Sequence, residues 1–414
     1  MYLLLLILWF HVDVPFRDEW ELVPHLEQLY EGTLSVYDIW KPQNEHRVFF
    51  PKIVLLSLAW LSHWNNLYEL LLNLAIAVAT FLVLVRHTNQ VRRCIADGNA
   101  AWIPLVFSLL VFSLNQFENW FMGLQLCLFL NVFSVVVGYT LLARALTSWR
   151  CFLGAVGCGL LATFSFANGL LYWPIALLML GLLTIAKGQR HDGQLVLWFL
   201  VSVAVSWAYF CDYSAARPSF TLPLGVAPLF LYVSYVLSYL GSPLTIFAVA
   251  SPFAVPCSAA VGAGGTAAFG FLIWRLGTRD HLALPILVYP VALGCYAIGS
   301  GLMIGSGRSE LGLAQALSSR YIILSSLLWI ANAILLAMLG QVRTQATTLE
   351  KKRFTTHESL AGIVVVVMLV LSSVGGTVAT VRRAEKRQSG RAELLNPQDA
   401  QRLLPLYPDV TVIR

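Results

Sequence analysis

The stretch RDEWELVPHLEQLYEG, residues 17–32, follows closely on the apolar run MYLLLLILWF of residues 1–10. Its apolar residues fall at Trp20, Val23, Leu26, Leu29 and Tyr30, the three-to-four spacing of one helix face. Asp18 with Glu21 three residues later fits a helix-capping pair. Gly32 marks a stop, and Pro24 requires either a kink or a later helix start. A second short helix is expected over about Ser35 to Trp40. Two readings compete for the acids. In one, Asp18 caps a surface helix while Glu19, Glu27 and Glu31 are solvated. In the other, carboxylates do chemistry at a lipid boundary.

Composition settles the boundary. The chain has 414 residues, 58% of them hydrophobic and only 12% charged, with a mean hydropathy of +0.72. Soluble domains carry about 25% charged residues. Apolar runs occupy about 1–12, 48–63, 67–86, 101–114, 124–146, 152–166, 170–186, 195–211, 225–241, 245–274, 282–304, 320–341 and 359–380. Many reach the roughly 17–25 residues that cross the hydrocarbon layer. The expected fold is all-α and polytopic, with about 11 to 13 spans. A transmembrane β-barrel would show short alternating segments, which are absent. The start has neither a basic n-region nor a small-residue cleavage site, so it does not read as a signal peptide. Its brevity is that of a shortened first span.

The net charge of +6 belongs to scattered loop positions and reads as a topology signal rather than a nucleic-acid platform. Arg86, Arg92, Arg93, Arg144, Arg150, Lys187, Arg190, Arg275, Arg279, Arg343 and Lys351–Arg353 mark one side. The loop 13–47, with eight acids against three Lys or Arg, marks the other, the external side. Parity then conflicts, because two crossings at 48–63 and 67–86 would return Arg92 and Arg93 to the acidic side, so either one of those runs is a half-span or the charge rule fails there. The same conflict recurs at 225–274. The expected organisation is a helical membrane domain over 1–380 and a polar extramembrane tail over 381–414. Cys127, Cys158, Cys257 and Cys295 lie in apolar runs and act as small hydrophobes. No cysteine spacing suggests zinc or a disulfide framework.

Polar motifs interrupt the apolar runs. KPQNEHRVFFPK, residues 41–52, places Glu45, His46 and Arg47 in sequence at the mouth of a run. An interfacial Glu45–Arg47 pair is the plain reading. Charged groups at spans are otherwise functional candidates. GSGRSELGLAQALSSRYIIL, residues 305–324, offers Arg308 and Arg320 followed by Tyr321. Snorkelling and an aromatic belt are the plain reading there. NQFENWF, 115–121, and SFANGLLYWP, 165–174, supply Glu118, Asn168 and Trp173 beside aromatic residues. Short turns with belt aromatics are their plain reading, and sugar-binding pockets pair the same residue types.

The order of a first span, an external loop opening on Asp18-Glu19, paired interfacial helices, then NEHRVFFPK leading into the next run resembles the GT-C membrane glycosyltransferases. The likeness is to the protein-mannosyltransferase and aminoarabinose-transferase branch, and it covers about residues 1–65. That branch opens the next span with His or Lys followed by two prolines. Here His46 and Pro51 stand apart. The resemblance implies inverting transfer of a sugar from a polyprenyl-phosphate donor to a glycan or lipid-linked acceptor in the cell envelope. It further implies a multi-pass protein of a bacterial inner membrane with its active site on the external face. Asp18 or Glu19 would be the general base. Arg47, His46, Arg308, Arg320 and Tyr321 would hold the donor phosphate. Glu45, Glu118, Asn168 and Trp173 would line the acceptor pocket.

No metal-site motif is present. A divalent metal ion bridging Asp18, Glu19 or Glu45 to a phosphate is the one cofactor these residues leave open. GxSxG, HExxH and P-loop patterns are absent. The rival readings are a polysaccharide polymerase or ligase of another membrane fold using diphosphate donors, a transporter or flippase for lipid-linked glycans, and a non-enzymatic membrane scaffold. Charges concentrated at helix mouths rather than at mid-span disfavour transport.

Overall fold

The computed structural model describes residues 2–95, 102–188, 191–213, 226–245, 252–278, 284–344, 367–386 and 388. The acidic loop folds close to its sequence pattern, with one difference. A 3-10 turn runs from Arg17 to Leu22, and the first α-helix of the loop starts only at Val23. Pro24 therefore sits in the first helical turn, where its missing N–H costs nothing, and no kink is needed. The expected Asp18–Glu21 cap does not form. Glu19 reaches back instead and accepts the Phe16 N–H at 2.5 Å. Gly32, at φ +70°, ends the helix as expected.

In chain order the helices are α1 (Tyr2–Phe10), α2 (Val23–Glu31), α3 (Val36–Trp40), α4 (Phe49–Ser62), α5 (Asn66–Ile95), α6 (Trp102–Val111), α7 (Phe117–Phe121) and α8 (Leu126–Leu142). There follow α9 (Trp149–Thr163), α10 (Tyr172–Lys187), α11 (Asp192–Phe210), α12 (Val226–Thr245), α13 (Ala254–Gly277), α14 (Leu284–Arg308) and α15 (Ile322–Thr344). A further helix covers 367–386. Among the described residues there is no strand beyond one isolated bridge, Gln43–His46.

Seven described helical stretches are long and apolar enough to cross a membrane. They are Asn66–Gln90, Gly123–Leu142, Ala167–Lys187, Asp192–Phe210, Ala254–Gly277, Leu284–Leu311 and Ser319–Leu339. This is a multi-pass helical protein suited to a bilayer. Among the described residues these seven are fewer than the 11 to 13 expected for the whole chain, and several apolar runs form helices too short to span. α1, α4, α6 and α9 have 9, 14, 10 and 15 residues, short of the roughly 20 that span. The second half of run 359–380 is helical from 367. The expected tail lies outside the described residues beyond 388.

α4 bears on the first parity conflict. Its first turn lies at the inner end of the acidic loop, where the Phe50 N–H donates to the Phe164 carbonyl at 3.2 Å. Its far end returns to the same loop. Trp64 packs against the two apolar clusters that include Leu22 and Leu26, and the Asn66 N–H donates to Asp13 Oδ1 at 2.9 Å. α4 therefore packs along the acidic loop with α2 and α3, and its 14 residues are short of a span. Only α5 then separates that end from Arg92 and Arg93. At the opposite end Arg144 donates to Gln90 at 2.8 Å, and Gln194 donates to the Ala145 carbonyl at 3.1 Å. Arg144, Arg150 and Lys187 thus gather there, as the charge pattern expects. The conflict at 225–274 spans residues 246–251, which lie outside the described residues.

α15 is the central column, with 94% of its membrane-length stretch buried, against 22% for α11. The outward face of α11, with Phe199, Leu200, Val203 and Trp207 exposed, suits lipid contact. α12 and α13 run antiparallel at backbone contact. A Cβ on Gly241 would stand 1.9 Å from the Ser258 carbonyl oxygen, and one on Gly262 would stand 1.9 Å from that of Leu237. Small residues let helix backbones meet in this way.

Candidate functional site

A polar cavity opens at the acidic-loop end of the helices. It encloses about 570 Å³ between its walls, counting the space at its mouth. Five separate parts of the chain build it.

The 3-10 turn brings Asp18. Its neighbour Glu19 is 2% exposed and fixes the turn from behind. Besides the Phe16 N–H, the Glu19 carboxylate accepts the Gly123 N–H at 2.5 Å and the Leu124 N–H at 3.4 Å. Gln43 Nε2 donates to the Asp18 carbonyl at 3.4 Å. Among the described residues the Asp18 carboxylate itself has no hydrogen-bond or ion-pair partner.

The Gln43–His46 turn brings Gln43, Asn44, Glu45 and His46. Gln43 and His46 exchange two backbone hydrogen bonds, at 2.8 and 3.0 Å. Asn44 takes φ +52°, a conformation asparagine tolerates better than most residues. The Tyr213 and Tyr209 hydroxyls donate to the Glu45 carbonyl at 3.0 and 3.4 Å. Arg47, 1% exposed, bolts this turn to the end of α11. Its guanidinium donates to the carbonyls of Tyr209 (2.5 Å), Trp40 (3.0 Å) and Cys211, and lies 4.9 Å over the Trp40 ring.

The start of α8 gives Leu124, Gln125, Cys127 and Leu128, and the turn before α10 gives Phe166. Phe166 stacks on His46 with ring centroids 4.1 Å apart. The segment between α14 and α15 gives Arg308, Arg320 and Tyr321. Arg308 donates to Glu45 Oε2 at 3.1 Å. The Arg320 guanidinium lies 5.2 Å over the Tyr321 ring, close enough to Glu118 and Asp18 for their charges to act on it.

The electrostatics follow from this arrangement. Glu45 is balanced by Arg308, so Asp18 and Arg320 are the charges left facing the cavity. Burial pushes the His46 imidazole down to about 3, and the Arg308 and Arg320 charges push the same way. His46 is therefore neutral at physiological pH and serves as a hydrogen-bonding group, not as a cation for phosphate. Gln43 Oε1, His46 Nδ1 and Arg320 Nε are buried without a protein partner. Such atoms call for water or a ligand. Among the described residues no three His, Cys, Asp or Glu side chains cluster as a metal site.

The expected residues divide cleanly. Asp18, Glu45, His46, Arg308, Arg320 and Tyr321 meet on one cavity. Glu19 and Arg47 do not line it and are engaged by backbone groups. Glu118 does not line it either. It takes Arg17 at 2.8 Å and the Ser318 and Ser319 hydroxyls at 3.3 and 2.9 Å. Asn168 is buried against the Ser300 carbonyl at 3.4 Å. Trp173 donates to Thr163 Oγ1 at 2.9 Å inside an aromatic cluster. Neither of these reaches the cavity. Sequence reasoning missed Gln43, Gln125 and Phe166. The signal for Gln125 was a lone amide opening an apolar run. Gln43 and Phe166 stood inside motifs already singled out.

No family model, curated protein or solved structure matches this chain.

Proposed function

We propose that this protein is an inverting membrane glycosyltransferase. It moves a sugar from a polyprenyl-phosphate donor to a glycan or lipid-linked acceptor on the non-cytoplasmic face. One observation carries the reading. Asp18 and Arg320, some three hundred residues apart in sequence, line a single cavity at a helix-bundle mouth.

The chemistry assigns the parts. The acceptor O–H approaches the anomeric carbon from the Asp18 side, and the Asp18 carboxylate takes its proton. The new C–O bond forms as the bond from the anomeric carbon to the phosphate oxygen breaks. That electron pair stays on the phosphate. Arg320, with Arg308 beside it, meets the growing negative charge, for which a guanidinium fork is suited. General-base help of this kind is worth about 10²–10⁴-fold. Gln43, Gln125 and neutral His46 offer uncharged hydrogen bonds to sugar hydroxyls, and Phe166 adds an apolar face.

The test is transfer from polyprenyl-monophosphate and polyprenyl-diphosphate sugars by the protein in lipid nanodiscs. The monophosphate donor is expected to be used and Asp18→Asn to abolish its use. Transfer by Asp18→Asn at the wild-type rate, or preference for the diphosphate donor, would overturn the assignment.

A further inference from the structure

Glu118 lies outside the cavity, yet its carboxylate joins two of the cavity's walls. Oε1 accepts from Arg17 at 2.8 Å. Oε2 accepts from Ser319 at 2.9 Å and Ser318 at 3.3 Å. Arg17 immediately precedes Asp18, and Ser319 immediately precedes Arg320. The neighbouring Asn119 donates to the Arg320 carbonyl at 3.2 Å, and the Glu118 N–H donates to Ser319 Oγ at 3.3 Å. Arg17 also sits at φ +52°, a conformation uncommon for arginine that needs support from its surroundings.

We propose that Glu118 is the positioning residue of the cavity. It clamps the segment carrying Asp18 to the segment carrying Arg320 and so fixes the gap between acid and guanidinium. The role in transfer rests on the glycosyltransferase reading. The clamp itself does not. Energy alone does not explain the arrangement. The Arg17 side chain is 57% exposed, and an ion pair so open to water contributes little to stability. Geometry explains it better, because a misplacement of about 1 Å between reacting groups can cost about 10²-fold in rate.

The clamp is tested on the full chain in nanodiscs. Spin labels are attached to cysteines placed at exposed Glu21 and Glu310, with the native cysteines replaced. Glu118→Gln keeps the shape and removes the charge. Arg17→Met releases only the acid side. A Ser318→Ala, Ser319→Ala double variant releases only the arginine side. A single narrow distance is expected in the parent and a broadened one in all three variants. A Glu118→Gln distribution that overlays the parent would overturn the clamp.

Kinetics separate the clamp from simple charge removal. Loss of a negative charge beside Arg320 predicts tighter donor binding with kcat retained. Loss of the clamp predicts kcat lower by about 10- to 100-fold, with donor KM nearly unchanged. If the parent transfers no sugar at all, the glycosyltransferase reading fails, and the spin-label distances still decide the clamp.

Discussion

Arg308 donates to the Glu45 carboxylate at 3.1 Å, across 263 positions of sequence. The pair stands at the cavity wall with its side chains 25% and 29% exposed, so its contribution to stability is about 1 kcal/mol or less. On the proposed function its larger effect would be on anion binding, because Glu45 would compete with an incoming phosphate for the guanidinium. Glu45→Gln is expected to leave the melting temperature nearly unchanged and to lower the donor KM. Arg308→Ala is expected to raise that KM about tenfold, which corresponds to about 1.4 kcal/mol. Steady-state kinetics on both variants check this. A donor KM unmoved by either change would remove Arg308 from the phosphate site.

His46 carries a pH prediction. Its folded value, about 3, lies below the ordinary 6.5, so the folded state resists the proton that the unfolded chain accepts. The stability linked to His46 is complete above about pH 6.5 and is lost as the pH falls toward 3. His46→Gln is expected to flatten the pH dependence of melting between about pH 4 and 6.5. Transfer by the parent should show no inflection from this imidazole above pH 5. A titration of His46 observed by NMR near 6.5 would contradict its neutral role in the cavity.

Much of this architecture was legible in the sequence because bilayer thickness turns span length into a readable quantity. The helices at 66–95, 126–142, 172–187 and 192–210 fall on runs whose length and apolarity point to them. Run 48–63 stayed open between a span and a half-span because apolarity does not record direction. α4 is apolar, yet it lies against the acidic loop, and its Lys52 is buried with Nζ donating to the Lys41 carbonyl at 3.2 Å. The cavity was legible where charge gathers at helix mouths. What the sequence could not show is which of two neighbours faces inward. Asp18 and Glu19 are adjacent, as are His46 and Arg47, and tertiary partners choose between them. The Gly123 and Leu124 amides claim Glu19, and the carbonyls at the end of α11 claim Arg47. Asn168 and Trp173 stand in a polar interruption that the chain's own buried groups use up.

Arg47 tests that division directly. Its fork meets three carbonyls at once and covers the Trp40 ring. Lysine keeps the charge but cannot reproduce a planar fork. Arg47→Lys is expected to cost about 1–3 kcal/mol, the range for buried carbonyls left without a donor. It should also loosen the end of α11. Thermal melting, together with faster proteolysis near residue 213, checks it. A melt identical to the parent would mean that the carbonyls find other donors.

The α12–α13 contact depends on glycine at the point of closest approach. Gly262→Ala would place a methyl 1.9 Å from the Leu237 carbonyl oxygen, with backbone rather than a movable side chain in the way. The helices must part, and overpacking of this kind costs about 1–3 kcal/mol. Gly264, two residues on, has open space where its Cβ would be, so Gly264→Ala should be neutral or slightly stabilising through its higher helix propensity. Melting of the two variants in the same detergent makes the comparison. Equal destabilisation would show that the packed face is not the one formed by Gly241 and Gly262.

Asp18 and Glu19 make the sharpest contrast, since they are adjacent acids with opposite expected phenotypes. Glu19 is buried and receives three backbone N–H groups. Glu19→Gln replaces an all-acceptor group with one whose amide must face some of those same donors, and it should destabilise by about 1–3 kcal/mol. Among the described residues the Asp18 carboxylate has no hydrogen-bond or ion-pair partner, so Asp18→Asn should melt with the parent. Its transfer rate should fall by about 10²–10⁴-fold, the range for loss of a general base. Measuring melting and transfer on both variants gives a two-by-two outcome. If Glu19→Gln melts normally but is inactive while Asp18→Asn is active, the base is the buried acid, and the cavity geometry has been assigned to the wrong neighbour.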